Sequence, residues 1–428
     1  MNKHVGFIVG VVVLAAAIAG AVIVPGAQSQ TARVSLPVSR VLACPVGDPD
    51  NLGSGKTVVQ VADQADFTAG PANGTPSAPA TTASFTDPGA PIVIRGSSSV
   101  GGIATSTEAG KTIVAPCSPP VTTGVWDGVL TQGQASTLIL SNVDATPAMV
   151  DVFLYNETGP ITLPGLSDIT VAPGATVREA IDQLVSSDTP ISVSIRTSRG
   201  RVSAVLRTVG SQGDDWQLPQ VFADTDVVIS GIPAGSGTRT LSVTNTDPTA
   251  NATVSLEVLS ESGAFAPLGL ATIQVLPART MSVDITAALG GQASALHLTS
   301  DRPITGTITV MDQDITGIAG QPGLNGSVVL PPIGGTVWIA NPGNTTATVT
   351  LQSADKTGAT QTKDTTVSAN TIASVDLPST AVWAQLSSGS ASVRVSVVKT
   401  GSSAFILPVS GGGSVASVEV PRFDPGLG

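Results

Sequence analysis

Thr137-Leu138-Ile139-Leu140-Ser141-Asn142 is an apolar/polar strand phrase that ends on a residue favouring turns, and the chain writes it three times. It returns as Thr240-Leu241-Ser242-Val243-Thr244-Asn245 and again as Thr336-Val337-Trp338-Ile339-Ala340-Asn341. The starts at 137, 240 and 336 lie 103 and 96 residues apart, close to one domain length, which reads as duplication of a domain. Around the first copy the strand candidates are 124–130, 137–141, 149–155, 169–171 with 176–177, 191–197 and 202–207. Ile191, Val193 and Ile195 fall on one face, as do Val202, Ala204 and Leu206. Arg178–Val185 is the one helical phrase, about two turns, too short to stand without docking.

The other copies keep the pattern. Ala252–Val258 matches Ala148–Leu154, Gln274–Pro277 matches Thr170–Pro173, and Ala347–Leu351 with Val393–Val398 extends the series into a third unit. About seven short strands per ~90–100 residues, with turn residues every 8–12, is the pattern of an antiparallel β-sandwich of immunoglobulin type. A propeller blade recurs at about half this period. The expected fold class is therefore all-β, with tandem immunoglobulin-like sandwiches at 121–209, 218–312 and 324–428, the last with tail strands. Residues 25–120 form a degenerate β unit, and the units together are expected to make a semi-rigid rod.

Composition agrees. Hydrophobic residues make up 41% and Val, Thr, Ile and Ser dominate, whereas only 11% are charged. The chain is too apolar to be disordered. A net charge of −11 repels a phosphate backbone, which argues against nucleic acid as a partner.

The N-terminus (1–24) opens with Lys3 and then runs from Val5 to Val24 without a charge. Twenty apolar residues suit a bilayer core of ~30 Å. A cleaved signal is the competing reading, with Ala19-Gly20-Ala21 as its cut. The run continues beyond it through Val22–Val24, which favours an uncleaved single-pass membrane anchor. Either way residues 25–428 are expected outside the cytoplasm. Cys44 and Cys117, the two cysteines, then read as a disulfide. The 68–91 stretch, rich in Thr, Ser, Ala and Pro, reads as a loop, open to O-linked sugar as a stalk is or simply on the surface.

Ala115-Pro116-Cys117 followed by Trp126, the Thr137–Asn142 phrase, Asp215-Trp216 and Ser300-Asp301-Arg302-Pro303-Ile304 resemble an actinobacterial family of membrane-anchored exported proteins known only as a domain of unknown function. The resemblance covers most of 40–410. It implies a one-helix anchor, an external β-rich body and a place in the envelope of high-GC Gram-positive cells. It brings no activity and no catalytic residue.

Reactive chemistry is sparse. His297 is the one histidine beyond the first four residues, and it sits in a strand with no nucleophile signature beside it. That scarcity argues against a zinc site. Asp48–Gly53 starts like a calcium loop but lacks the closing Glu, and Asp224/Asp226 and Asp312/Asp314, at unit ends where inter-domain calcium could rigidify an array, read more simply as solvated linker carboxylates. No catalytic, cofactor or metal residues are assigned, and no cofactor is expected. Arg196, Arg201 and Arg207 form the one basic cluster, read as a hairpin with its charges outward, either an anion-docking patch or a charged edge. Trp126, Trp338 and Trp383 fall in strands and read as core, while Trp216 in a linker reads as a wedge between units.

The function expected from these observations is a non-enzymatic, membrane-tethered extracytoplasmic protein of the cell envelope, presenting β-sandwich surfaces to a protein or glycan partner. The alternatives are an accessory subunit of a membrane enzyme of envelope glycan assembly and a hydrolase using a carboxylate pair.

Overall fold

The computed structural model describes residues 33–35, 40–45, 56–108, 111–211, 213–312, 314–324, 326–390, 392–400, 405–409 and 417–419. The expected membrane segment and the Asp48–Gly53 stretch lie outside them. No helix among the described residues is long and apolar enough to cross a membrane. Two compact units divide the chain: Val38–Ser414, and the flanking ends, in which Arg33–Ser35 pairs antiparallel with Ser417–Glu419.

Within Val38–Ser414 the structure is all-β. The first sandwich has one sheet ordered Gly159–Ile161, Ala148–Asn156, Ile191–Arg199, Thr123–Val129, and a second ordered Thr176–Ala180, Gln134–Ser141, Ser203–Gly210, Gly213–Gln217. Ile169–Val171 also pairs with Ala148–Asn156, making the first of these sheets five-stranded, whereas the third sandwich has two four-stranded sheets, one of them Gly326–Leu330, Ala381–Ser388, Ala347–Asp355, Thr360–Val367. The second departs in one respect. Its strand Ser294–Met311 runs through both halves, pairing with Asp224–Ile232 and Ala252–Ser260 first and with Thr238–Asn245 afterwards, so its strands form a single eight-stranded sheet folded over. The long helical phrase shrinks to Ile181–Leu184, because Thr176–Ala180 pairs as a strand.

The duplicated phrase owes its last residue to a buried job. Asn142, Asn245 and Asn341 are fully enclosed. Each Nδ2 donates to the loop that follows it (Thr146, Ala250 and Thr345 carbonyls, all at 2.8 Å) and to a strand of its own sandwich (Val171, Val275 and Val367 carbonyls). Each Oδ1 accepts a backbone N–H two residues on. An enclosed amide is stable only when satisfied in this way.

The strand order is not that of an immunoglobulin domain, whose sheets run ABED and CFG. Here the strand before the crossing, Ile191–Arg199, pairs with Ala148–Asn156 and Thr123–Val129, while the strand after it, Ser203–Gly210, pairs with Gln134–Ser141 in the facing sheet. The reason is visible at Gly200, where φ is +70° and the three residues between Arg199 and Ser203 carry the chain across to the facing sheet rather than back along the same one. In the second sandwich the equivalent corner is Asp301-Arg302-Pro303, inside the continuous strand.

The N-terminal unit is one six-stranded sheet. Its 16-residue strand Lys56–Pro71 shifts register between Ala62 and Phe67 and so serves two sets of partners. The expected 68–91 loop contains a strand, Ala80–Thr86, held because Ala83 and Phe85 pack against the core while Thr82, Ser84 and Thr86 point out. This unit does not close its own core. Ile113 and Ala115 pack with Ile139, Val205 and Trp216 of the first sandwich.

Nor do the units extend as a rod. The last strand of each, Lys111–Pro116, Gly213–Gln217, Ile315–Ala319 and Phe405–Val409, touches the next, and the fourth touches the first. The third sandwich meets the N-terminal unit through the Val329 N–H, which donates to the Ser99 carbonyl at 2.8 Å, and through Ile103 and Val114, which join its core. Four units thus close into a cycle of contacts, with each sandwich lending one face to the unit before it and one to the unit after.

Candidate functional site

Polar groups with unusual surroundings gather at the seams of this cycle. Trp126 and Asp127 are neighbours on one strand and so face opposite ways. Trp126 fills the first sandwich and donates its indole N–H to the Gln217 carbonyl at 2.8 Å. Asp127 points into the second sandwich, where Gly128 (φ +76°) permits the close approach: a Cβ there would lie 2.8 Å from Thr309 Oγ1.

Asp127 is fully buried. Its Oδ1 accepts from Ser192 (2.8 Å), Thr244 (2.5 Å) and Thr305 (3.1 Å), and its Oδ2 has no hydrogen-bond partner. Ser192 and Thr244 are also 2.6 Å apart. These two hydroxyls and Oδ1 make three close contacts, and the hydroxyls supply two protons. An ionised group with a bare buried oxygen is costly, and burial accordingly pushes the Asp127 carboxyl upward against the three hydroxyl donors.

A second carboxyl lies where closing strands meet. Asp215 Oδ2 accepts the Gly317 N–H at 2.8 Å. Enclosure of the carboxyl raises its pKa to about 7; the Gly317 N–H opposes this, and Asp314 and Asp214 reinforce it. Asp214 is held by Arg207 at 2.8 Å, with both side chains largely buried.

That pairing removes Arg207 from the expected basic patch. The crossing at Gly200 places Arg196 and Arg207 on different sheets, so the three arginines do not share a surface. Arg196 is exposed and lies 5.5 Å from the centre of the Phe153 ring. Arg201 is paired with Asp144 at 2.7 Å, and that hydrogen bond holds the Asp144 carboxyl below its usual range. The disulfide Cys44–Cys117 is formed.

His297 is half-buried between two exposed carboxylates, with Nε2 at 3.0 Å from Asp226 and Nδ1 at 3.8 Å from Glu257. The acids flank opposite ring nitrogens, and among the described residues no hydroxyl is hydrogen-bonded to the imidazole. Among the described residues no group of three or more His, Cys, Asp or Glu is placed to hold a metal ion. Trp216 is buried in the core shared by two units, as a wedge is, and Trp126 is core. Trp338 packs with Val228 and Leu259 of the second sandwich at the next seam. Trp383 is no core residue. It alternates with the core residues Ala384 and Leu386 and so stands on the outer face.

The Asp127 and Asp215 seams were not singled out from the sequence. Asp215-Trp216 belonged to a family-like phrase, but nothing local marked its carboxyl as enclosed.

Residues 95–378 match the Family of unknown function (DUF5719). No curated protein matches the chain. Among solved structures, "Crystal structure of tetra-tandem repeat in extending region of large adhesion protein" is similar at 14% identity, over 84% of this chain and 92% of that one, with a TM-score of 0.11.

Proposed function

The chain belongs to the family of unknown function DUF5719, shown by a match over most of its length, and we propose that it is a non-enzymatic binding scaffold of the bacterial cell envelope. In this reading the N-terminal apolar run of an actinobacterial protein tethers it to the membrane, with the β body outside. One observation carries the non-enzymatic part. The two most enclosed carboxyls, Asp127 and Asp215, are spent on joining the first sandwich to the second, through the Thr244 hydroxyl and the Gly317 N–H. Enzymes place such groups where substrate reaches them. The closed cycle replaces the rod: it offers an envelope partner a body of fixed inter-unit geometry.

Affinity capture of the full chain from native membranes, with crosslinking, tests the reading. A defined envelope component recovered with the protein is the expected result. Hydrolysis of an envelope polymer by the purified chain, abolished by changing one carboxylate pair, would overturn it.

A further inference from the structure

The cycle covers its sheet faces unevenly. In the first two sandwiches the sheet that faces forward is packed against the next unit across several strands: Thr123–Val129 and Ala148–Asn156 against the second sandwich, Asp224–Ile232 and Ala252–Ser260 against the third. The matching sheet of the third sandwich meets only the smaller N-terminal unit, which covers Gly326–Leu330 and no strand beyond it to a comparable extent. There the fit is tight, since a Cβ on Gly101 would lie 1.7 Å from the Val329 carbonyl oxygen. The cover then ends, and the face continues over three further strands.

What stands on the open part is one aromatic among amides and hydroxyls. Register places Gln385, Gln352 and Thr362 side by side in one row across the strands, with Ser387, Thr350 and Asp364 in the row next to it. Trp383 begins the adjacent row, opposite Ala354, and is half-buried there. Asp364 already accepts the Thr350 hydroxyl at 2.7 Å. At the covered border Gln64 of the N-terminal unit donates to Gln385 Oε1 at 2.8 Å. Beside this contact a shallow groove of about 340 Å³ opens between Thr82–Ser84 and Pro331, Pro332 and Val382.

We propose that this face binds a neutral glycan chain, with a sugar ring stacked on Trp383 and its hydroxyls hydrogen-bonded by Gln352, Gln385 and Thr362. The half-buried indole offers an apolar plane, which suits the C–H face of a pyranose. Amides and hydroxyls donate and accept in equal measure, as sugar hydroxyls require. Charge matching points the same way: the rows around Trp383 carry one charge, Asp364, and no cation, so an anionic chain finds no counter-charge among them and a polycationic one finds a single carboxylate. The face is also continuous with the N-terminal seam, whose groove extends it beyond one sugar ring. This inference rests on the envelope-binding reading and names the partner's chemistry.

The test titrates the full chain with linear neutral hexasaccharides of glucose, mannose and N-acetylglucosamine, read by calorimetry and by tryptophan fluorescence. Saturable binding of at least one of them is expected, weakened at least tenfold by Trp383→Ala and several-fold by Gln352→Ala. No saturable binding of any of the three, or equal affinity in both variants, overturns the proposal. Should Trp383→Ala fail to fold, judged by its thermal transition, Gln352→Ala and Thr362→Val decide on the same criterion. Membrane capture is run in parallel with the Trp383 variant. Envelope partners recovered unchanged while no hexasaccharide binds would sink the glycan assignment and leave the scaffold reading intact.

Discussion

Two seams of the cycle are built from opposite materials. Between the first and second sandwiches the contact is polar, with Asp127 against Ser192, Thr244 and Thr305, the Gln217 amide against Thr307, and Gln220 accepting the Gly306 N–H at 3.0 Å. Between the third sandwich and the N-terminal unit it is largely apolar, with Ile103 and Val114 entering a core that includes Leu324 and Val328. The first pair is joined by a short linker, so the sandwiches meet at high effective concentration and their contact can be devoted to register. The second pair is joined by no neighbouring linker. It closes a cycle whose partners are far apart in sequence, and non-directional apolar burial supplies that association.

The apolar seam should break hardest. Cys117 lies against Gly102, whose added Cβ would meet its Sγ at 2.7 Å, and Gly101 next to it abuts Val329. Replacing both cysteines by serine releases a loop of 74 residues. It should cost about 4 kcal/mol, seen as a lower denaturant midpoint and early proteolysis at the third sandwich. Gly101→Val, which drives a side chain into the Val329 carbonyl, should cost about 3 kcal/mol by thermal unfolding while leaving the polar seam's contacts in place.

The polar seams should instead respond to pH. Asp127 and Asp215 have raised pKa values when folded, so their stabilisation is complete below the unfolded carboxyl value of about 4. It is lost as pH rises, for Asp215 through about 7. The melting temperature should fall between these limits, and Asp215→Asn should flatten the part of the slope that ends near neutrality. A slope unchanged in that variant would place the titrating group elsewhere. Thr244→Val, which removes one donor to Asp127 and one partner of Thr280, should cost about 1 kcal/mol in chemical denaturation. Arg196→Ser, at an exposed ring contact, should shift stability by about 0.5 kcal/mol or less on the same assay.

How much of this could be read in the chain follows the same division. The strands of the first sandwich were legible because Ile191, Val193 and Ile195 alternate with polar neighbours, and the duplication because Asn142, Asn245 and Asn341 recur in one phrase. The paired cysteines were legible from their number alone. The crossing at Gly200 was not, since alternation on either side is the same whether a turn reverses the chain or sends it to the facing sheet. That ambiguity misplaced Arg207, which alternation puts outward correctly but onto a face closed by Asp214.

The seams were hidden for a related reason. Ser242, Thr244, Thr280, Thr305 and Thr307 look like a solvated face, and all five are buried. Their signal was size and neutrality: only 11% of the residues are charged. That is too few for separate sandwiches each coated in water, since exposed faces draw heavily on Lys, Arg, Glu and Asp. Trp383 went unread because a strand tryptophan defaults to core, and its outward phase shows only once Ala384 and Leu386 are known to point in.

Closure also sets a limit on how the chain can evolve. An open stack of repeats gains or loses copies at little cost, because each new copy repeats the same neighbour contacts and the ends are merely capped. Here the unit after the third sandwich is already the first unit of the chain. Inserting another copy would part Val329 from Ser99 and bare two matched faces at once, so among the described units the copy number is tied to the closure.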